Sequence, residues 1–219
     1  MDPTCVVCDA PTSTQCARCK SACYCSKAHK AQDWPSHKTY CKTISKAGTN
    51  TFNAILFGVN ETKPRLIKLP WSYGAVDKYT VGERWHDLNM ELWFEGYDSF
   101  RRASYVWQKF GIDGPPLGHT LAVWYDDNFM INGSRINRCI QKITAGKAQH
   151  PWAGNILALR VKGPTLDRFS DAVMEEDLAP LVRYFEEYPK RKSARICNRL
   201  TVFNLFLLCF VLWWFISGS

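Results

Sequence analysis

Eight of the nine cysteine and histidine side chains within the first 41 residues restrict this chain more than any other feature of its sequence. They fall in four pairs: Cys5-x2-Cys8, Cys16-x2-Cys19, Cys25-x3-His29 and His37-x3-Cys41. Two residues between cysteines suit a tight knuckle whose backbone N–H groups point at the sulfurs. Three intervening residues suit one helical turn, because positions i and i+4 share a face. Eight such ligands make two tetrahedral sites of three cysteines and one histidine each. With all four positions filled by protein, such sites are structural and leave no place for a substrate. Seven of the ten cysteines lie in this segment, and Met1-Asp2-Pro3-Thr4 has neither the basic start nor the apolar core of a secretory leader. A reduced compartment is therefore expected, in which clustered thiols bind metal before they form disulfides. The segment is also poor in large apolar side chains, with Val6, Val7, Tyr24, Trp34 and Tyr40 as its main stock, so metal rather than oil must order it.

The order of the pairs resembles the MYND zinc finger. The likeness is carried by Cys5-Val-Val-Cys8, Cys16-Ala-Arg-Cys19, Tyr24-Cys25-Ser26-Lys27 and Gln32-Asp33-Trp34-Pro35-Ser36-His37-Lys38, closing at Cys41. The resemblance implies interleaved pairs: one structural zinc on Cys5, Cys8, Cys25 and His29, a second on Cys16, Cys19, His37 and Cys41. It also implies protein partners, with proline-rich peptides meeting a groove that includes Trp34. Two positions depart from the family pattern. His29 stands where cysteine is usual, a swap zinc accepts, and Lys30 replaces the usual glutamine that follows. Cys23 is a surplus thiol, and the Tyr-Cys-Ser context favours Cys25 as the ligand.

The formal charge of +8 is unevenly spread. Residues 1–41 carry five basic and three acidic side chains; 190–199 carry five basic and none acidic; 49–189 hold 16 basic against 17 acidic. The large middle region is thus nearly neutral, which argues against a phosphate-tracking surface. Nucleic-acid binding through the basic finger is the weaker alternative.

The domain reading is a MYND-type finger at 1–41, a polar linker at 42–50 and a mixed α+β domain of unassigned role at 51–189. Ala54–Val59, Leu66–Leu69, Thr120–Tyr125 and Ile156–Val161 read as strands. Arg84–Phe94 and Phe100–Phe110 show helical spacing. Gly111–Gly118 is a loop, and Asp177 caps a last helix running to Glu187 with Pro180 in its first turn. No catalytic constellation and no organic-cofactor site is read. Asp126-Asp127-Asn128 reads as a solvated turn, His86, His119 and His150 as isolated imidazoles, and Cys139 as a small core residue. Some MYND modules sit inside SET-type lysine methyltransferases, but Asn128–Cys139 lacks the histidine and the cysteine-rich tail of their Asn-His-Ser-Cys stretch. A non-enzymatic adaptor is expected.

Leu200–Ile216 is a run of 17 uncharged residues, twelve of them Leu, Val, Ile or Phe, behind the basic segment 190–199. A helix of that length spans about 25 Å, close to the ~30 Å of a hydrocarbon core. It reads as a tail anchor of an internal membrane, with a basic juxtamembrane segment that keeps the finger on the cytoplasmic side. A buried terminal helix is the alternative reading, and the nucleus the alternative location.

Overall fold

The computed structural model describes residues 3–75, 84–94 and 98–188. The basic segment 190–199 and the anchor expected at 200–216 lie outside the described residues. Among those described, no helix is long and apolar enough to cross a membrane.

The chain begins with two knuckles and then enters helix α1, Lys27–Ala47, whose N-terminus is capped by the Ser26 hydroxyl accepting from His29 N–H at 3.1 Å. Strands β1 (Thr51–Phe57), β2 (Arg65–Tyr73), β3 (His86–Leu88), β4 (Arg101–Val106) and β5 (Thr120–Asp126) follow. A short helix α2 (Arg138–Ile143), strands β6 (Ile156–Val161) and β7 (Phe169–Ser170), and helical residues 174–188 (α3) complete the described chain. The strands form one curled antiparallel sheet in the order β3-β2-β1-β6-β5-β4. β7 pairs with the end of β6 that β1 leaves open.

Both faces of this sheet are covered, which explains its near-continuous apolar strands. Ile55, Phe57, Leu121, Val123, Ile156 and Ala158 face Cys139 and Ile140 of α2, Trp152, and Leu181, Tyr184 and Phe185 of α3. Their neighbours of opposite parity, Ala54, Leu56, Ala122, Leu157 and Leu159, face the inside of the curl with Ile67, Leu69, Met90, Trp93 and Phe169.

Three expectations are corrected. The stretch 42–50 is not a linker: α1 continues to Ala47, with Ile44 buried against the finger. Arg84–Phe94 is not a helix. Its buried-exposed-buried residues His86, Asp87 and Leu88 pair with β2, and only Met90–Phe94 closes a single turn. Phe100–Phe110 is not a helix either, because Arg101–Val106 makes an unbroken six-residue ladder with β5. Tyr105 goes to the inner core and Val106 to the outer one, so the packing fits a two-sided strand. The last helix starts a turn earlier than Asp177. That carboxylate reaches back to the Val173 N–H at 2.7 Å, so it serves the helix start from inside the first turns.

Tyr40 joins finger to sheet. Its hydroxyl accepts the Lys68 N–H at 2.9 Å, donates to the Lys68 carbonyl at 3.3 Å and meets the Ser21 hydroxyl, while its ring lies edge-on to Trp93. These groups satisfy the outer edge of β2 where no neighbouring strand among the described residues covers it. A Lys63–Asp9 ion pair at 2.9 Å adds a second, more exposed link.

Candidate metal centre

The two knuckles are built alike. Asp9 N–H donates to the Cys5 carbonyl and Lys20 N–H to the Cys16 carbonyl, both at 2.9 Å. The residue after each second cysteine turns into the left-handed region, Asp9 at φ 61° and Lys20 at φ 56°. This conformation brings backbone N–H groups under the first sulfur of each pair. Burial would raise the Cys5 thiol, yet the N–H groups of Cys25, Val7 and Cys8 outweigh it and lower its pKa to about 6. At Cys16 burial is likewise outweighed, by the N–H groups of Cys19 and Arg18 and the His37 ring, and the thiol falls to about 6.

The other two cysteine-histidine pairs come from α1 and the turn before it. Cys25 and His29 lie at its start; His37 and Cys41, one turn apart, lie on its buried face. The structure brings Cys5, Cys8, Cys25 and His29 into one group and Cys16, Cys19, His37 and Cys41 into another, the ligand atoms of each within 4.8 Å of one another. The first group is half exposed and the second wholly buried. Cys23 belongs to neither; it pairs by a bridge with Gln15, and its carbonyl accepts from Val6 N–H.

The donor sets fit zinc. Tetrahedral zinc with thiolate bonds of about 2.3 Å separates its sulfurs by about 3.8 Å. Cys16 Sγ and Cys41 Sγ are 3.8 Å apart, Cys8 Sγ and Cys25 Sγ 3.5 Å, Cys5 Sγ and His29 Nδ1 3.6 Å, Cys19 Sγ and His37 Nε2 3.5 Å. A disulfide needs about 2.05 Å, and the described cysteines are free thiols. Charge makes the same point. Burial and then the neighbouring Cys16 and Cys41 push Cys19 up to about 12, and the Cys8 thiol, followed by burial, pushes Cys25 up to about 11. One thiolate per group is held by backbone dipoles; three need a cation between them.

Behind the buried group sits a carboxylate. Asp33 Oδ2 accepts the Tyr24 hydroxyl at 2.5 Å and lies 4.0 Å from His37 Nδ1. It faces the nitrogen that points away from Cys19, so it favours the tautomer that leaves Nε2 free for metal. Tyr24 is buried and stands edge-on to His37.

Residues 5–41 match the family model of the MYND finger. This segment is a MYND-type zinc finger. It is similar to that of Zinc finger MYND domain-containing protein 10 homolog from Drosophila melanogaster, 45% identical over 40 residues. That match covers 18% of this chain and 9% of the fly protein. Ubiquitin carboxyl-terminal hydrolase 19 from Arabidopsis thaliana is 40% identical over 62 residues, covering 25% of this chain and 9% of that protein. The chain thus spans about a tenth of the length of these relatives, and the likeness lies in the finger region. No solved structure matches the chain. The MYND finger is generally an interaction module, and its two Cys/His groups are consistent with two structural zinc ions. Those ions would fix the path of residues 5–41 and supply no open coordination position.

Trp34, the residue the resemblance offers for partner contact, is 36% exposed on α1 beside His37. Sequence reasoning missed a second feature. Between finger and sheet lies a cleft of about 1160 Å³, lined by Ser21 and Tyr40 on one wall and Lys63, Arg65 and Lys68 on the other. Tyr40 lay in plain view in the finger, but nothing in the sequence tied it to β2. The remaining candidates are absorbed by the fold. Asp126 accepts from Phe100 N–H, Asn128 N–H and the Asn132 amide. His119 and the Arg160 guanidinium share the buried Asp177 carboxylate, and His86 Nδ1 accepts from Phe169 N–H. Cys139 is fully buried, and that burial pushes its thiol up to about 12.

Proposed function

We propose that the chain is a zinc-dependent adaptor, a non-enzymatic protein that recruits protein partners, proline-rich peptides among them, through its MYND finger, and that residues 200–216 anchor it in a membrane. The supporting observation is an exposed indole, Trp34, standing beside His37 on the helix that His37 and Cys41 tie to the knuckles. A rigid aromatic on a preorganised scaffold is the usual anchor of a peptide interface. The zincs act at a distance: they hold the helix and the knuckles in the one arrangement that presents this surface.

The reading is tested by capture of partners on full-length protein, comparing wild type with Trp34→Ala and with Cys16→Ser. Loss of an aromatic anchor costs about 2 kcal/mol or more, so Trp34→Ala should weaken a proline-rich peptide roughly thirtyfold with zinc content intact. Cys16→Ser should lose zinc and partners together. Unchanged partners in both variants would remove the adaptor reading. Carbonate extraction of tagged full-length protein tests the anchor: complete release into the soluble fraction refutes it.

A further inference from the structure

The three most exposed large apolar side chains among the described residues are Ile131 at 81%, Met130 at 72% and Phe100 at 59%. They occupy one end of the sheet. Phe100 precedes β4, and its carbonyl accepts from Asp127 N–H at 2.8 Å, so it lies beside the turn that carries Met130 and Ile131. That turn is held rigidly. The Asp126 carboxylate accepts from Phe100 N–H at 2.9 Å, Asn128 N–H at 3.0 Å and the Asn132 amide at 2.5 Å. Asn128 in turn donates to the Asp98 carbonyl at 2.7 Å. Three polar side chains, Asp126, Asn128 and Asn132, thus spend their hydrogen bonds on displaying two aliphatic side chains to water, a placement that nothing in the core requires.

The end of α3 meets the same turn. Phe129, next to Met130, stands 5.6 Å from the His150 ring, and His150 stands 4.8 Å from the Tyr188 ring. Within two residues of Tyr188 the sequence becomes Lys190-Arg191-Lys192, then Arg195 and Arg199, then the apolar run 200–216. The exposed tip and the origin of the basic, apolar tail therefore share one end of the domain. Arg101, which is exposed, begins β4 there as well, while Arg102 beside it pairs with Asp127 at 2.6 Å.

We infer that Met130 and Ile131, flanked by Phe100, form a second lipid contact, which seats the folded domain on the membrane surface that the tail enters. The inference rests on the anchor reading above and extends it. Protruding aliphatics on a turn suit partition into an acyl boundary better than they suit a partner helix, which needs a groove. Arg101 and, above all, the basic segment favour an anionic surface.

The test uses full-length protein reconstituted in vesicles of phosphatidylcholine with a minority of phosphatidylserine, doped with a phospholipid bearing a photoreactive group near its headgroup. Cross-linked peptides are located by mass spectrometry, with the buried β6 peptide as reference. Labelling should appear at both 127–133 and 200–216. The double variant M130E/I131E, altered only at exposed positions, should lose labelling of its turn at least about tenfold, as expected when two exposed aliphatics no longer partition. Its tail labelling and circular dichroism should match wild type. A labelled tail with a turn no more labelled than β6 overturns the inference and leaves the anchor. A labelled turn without a labelled tail keeps the contact and removes the anchor. No label at either place removes both, and a turn that becomes protected without lipid label, as when the tail or a second copy covers it, also overturns the inference.

Discussion

Replacing Asp33 by asparagine should loosen one zinc and spare the other. The substitution keeps shape and still offers an oxygen to the Tyr24 hydroxyl, but removes the negative charge 4.0 Å from His37 Nδ1. Two full unit charges at that separation near a protein surface interact by about 4 kcal/mol. The imidazole of a metal-bound histidine carries only part of a charge at its N–H, and Asp33 keeps 25% of its side chain in solvent. About a third of that energy should survive, which is roughly a tenfold loss of zinc affinity, the low end of what such outer partners usually contribute. The assay is graded chelation under reducing conditions with a thiol-alkylating pulse read by mass spectrometry. In Asp33→Asn, the chelator level that exposes Cys16, Cys19 and Cys41 should fall about tenfold, and that for Cys5, Cys8 and Cys25 less than twofold. If both groups moved together, Asp33 would be supporting the finger as a whole; if neither moved, the carboxylate would not be orienting His37. Either result refutes the reasoning.

Three further outcomes are expected. Asp177→Ala removes the partner of Arg160 and His119 from a fully buried position and should cost about 3–5 kcal/mol in denaturant unfolding; Arg102→Ala, which breaks an exposed pair with Asp127, should leave the unfolding midpoint unchanged within error. Cys139 should resist alkylation at pH 8 in the folded protein, because burial holds its thiol near 12. Since that folded value lies above the ordinary 9.0, the protonated thiol favours the native state below pH 9, and this contribution should be lost as pH rises from 9 towards 12, seen as falling stability absent in Cys139→Ala. Tyr40→Phe should leave zinc content unchanged but speed hydrogen exchange at the Lys68 amide, which loses its 2.9 Å acceptor.

The parts of this fold that could be read from sequence are those with one dominant requirement. The ligand pairs declare themselves because metal geometry fixes their spacing, and β5 and β6 because strands packed on both faces become nearly continuous apolar runs. β4 was hidden by the same two-sided burial: Ser104 meets Tyr184 on one face, Tyr105 the inner core on the other, and the remaining apolar positions imitate a helical period. α1 was cut short at Cys41 because Lys42, Thr43, Ser45 and Lys46 read as polar linker, while the single inward residue Ile44 is too little to show a period. Which pair shares which ion came only from resemblance, since spacing permits other combinations. Asp33 and Tyr24 were visible as motif letters; their joint position behind His37 depends on the helix folding back over the knuckles.

That folding back makes the metal responsible for more than the finger. One wall of the cleft is made by Ser21, Ala22, Cys23 and Tyr40, the other by Lys63 to Lys68 of β2 and the turn before it. The sheet wall rests on two apolar cores that contain no zinc ligand. The finger wall rests on a core whose only non-cysteine members are Ala22, Tyr24 and Ile44, with Tyr40 packed against it. So small an apolar cluster cannot offset the ordering entropy of its segment, and the wall stands only while the thiolates are metal-bound. Chelation should therefore collapse the amide dispersion of residues 3–41 and speed exchange at Lys68, whose amide is satisfied by Ser21 and Tyr40, while the amides of β1, β5 and β6 stay protected. Equal protection of Lys68 with and without zinc would mean that α1 holds its place on β2 unaided, and the cleft would then be a property of the sheet alone.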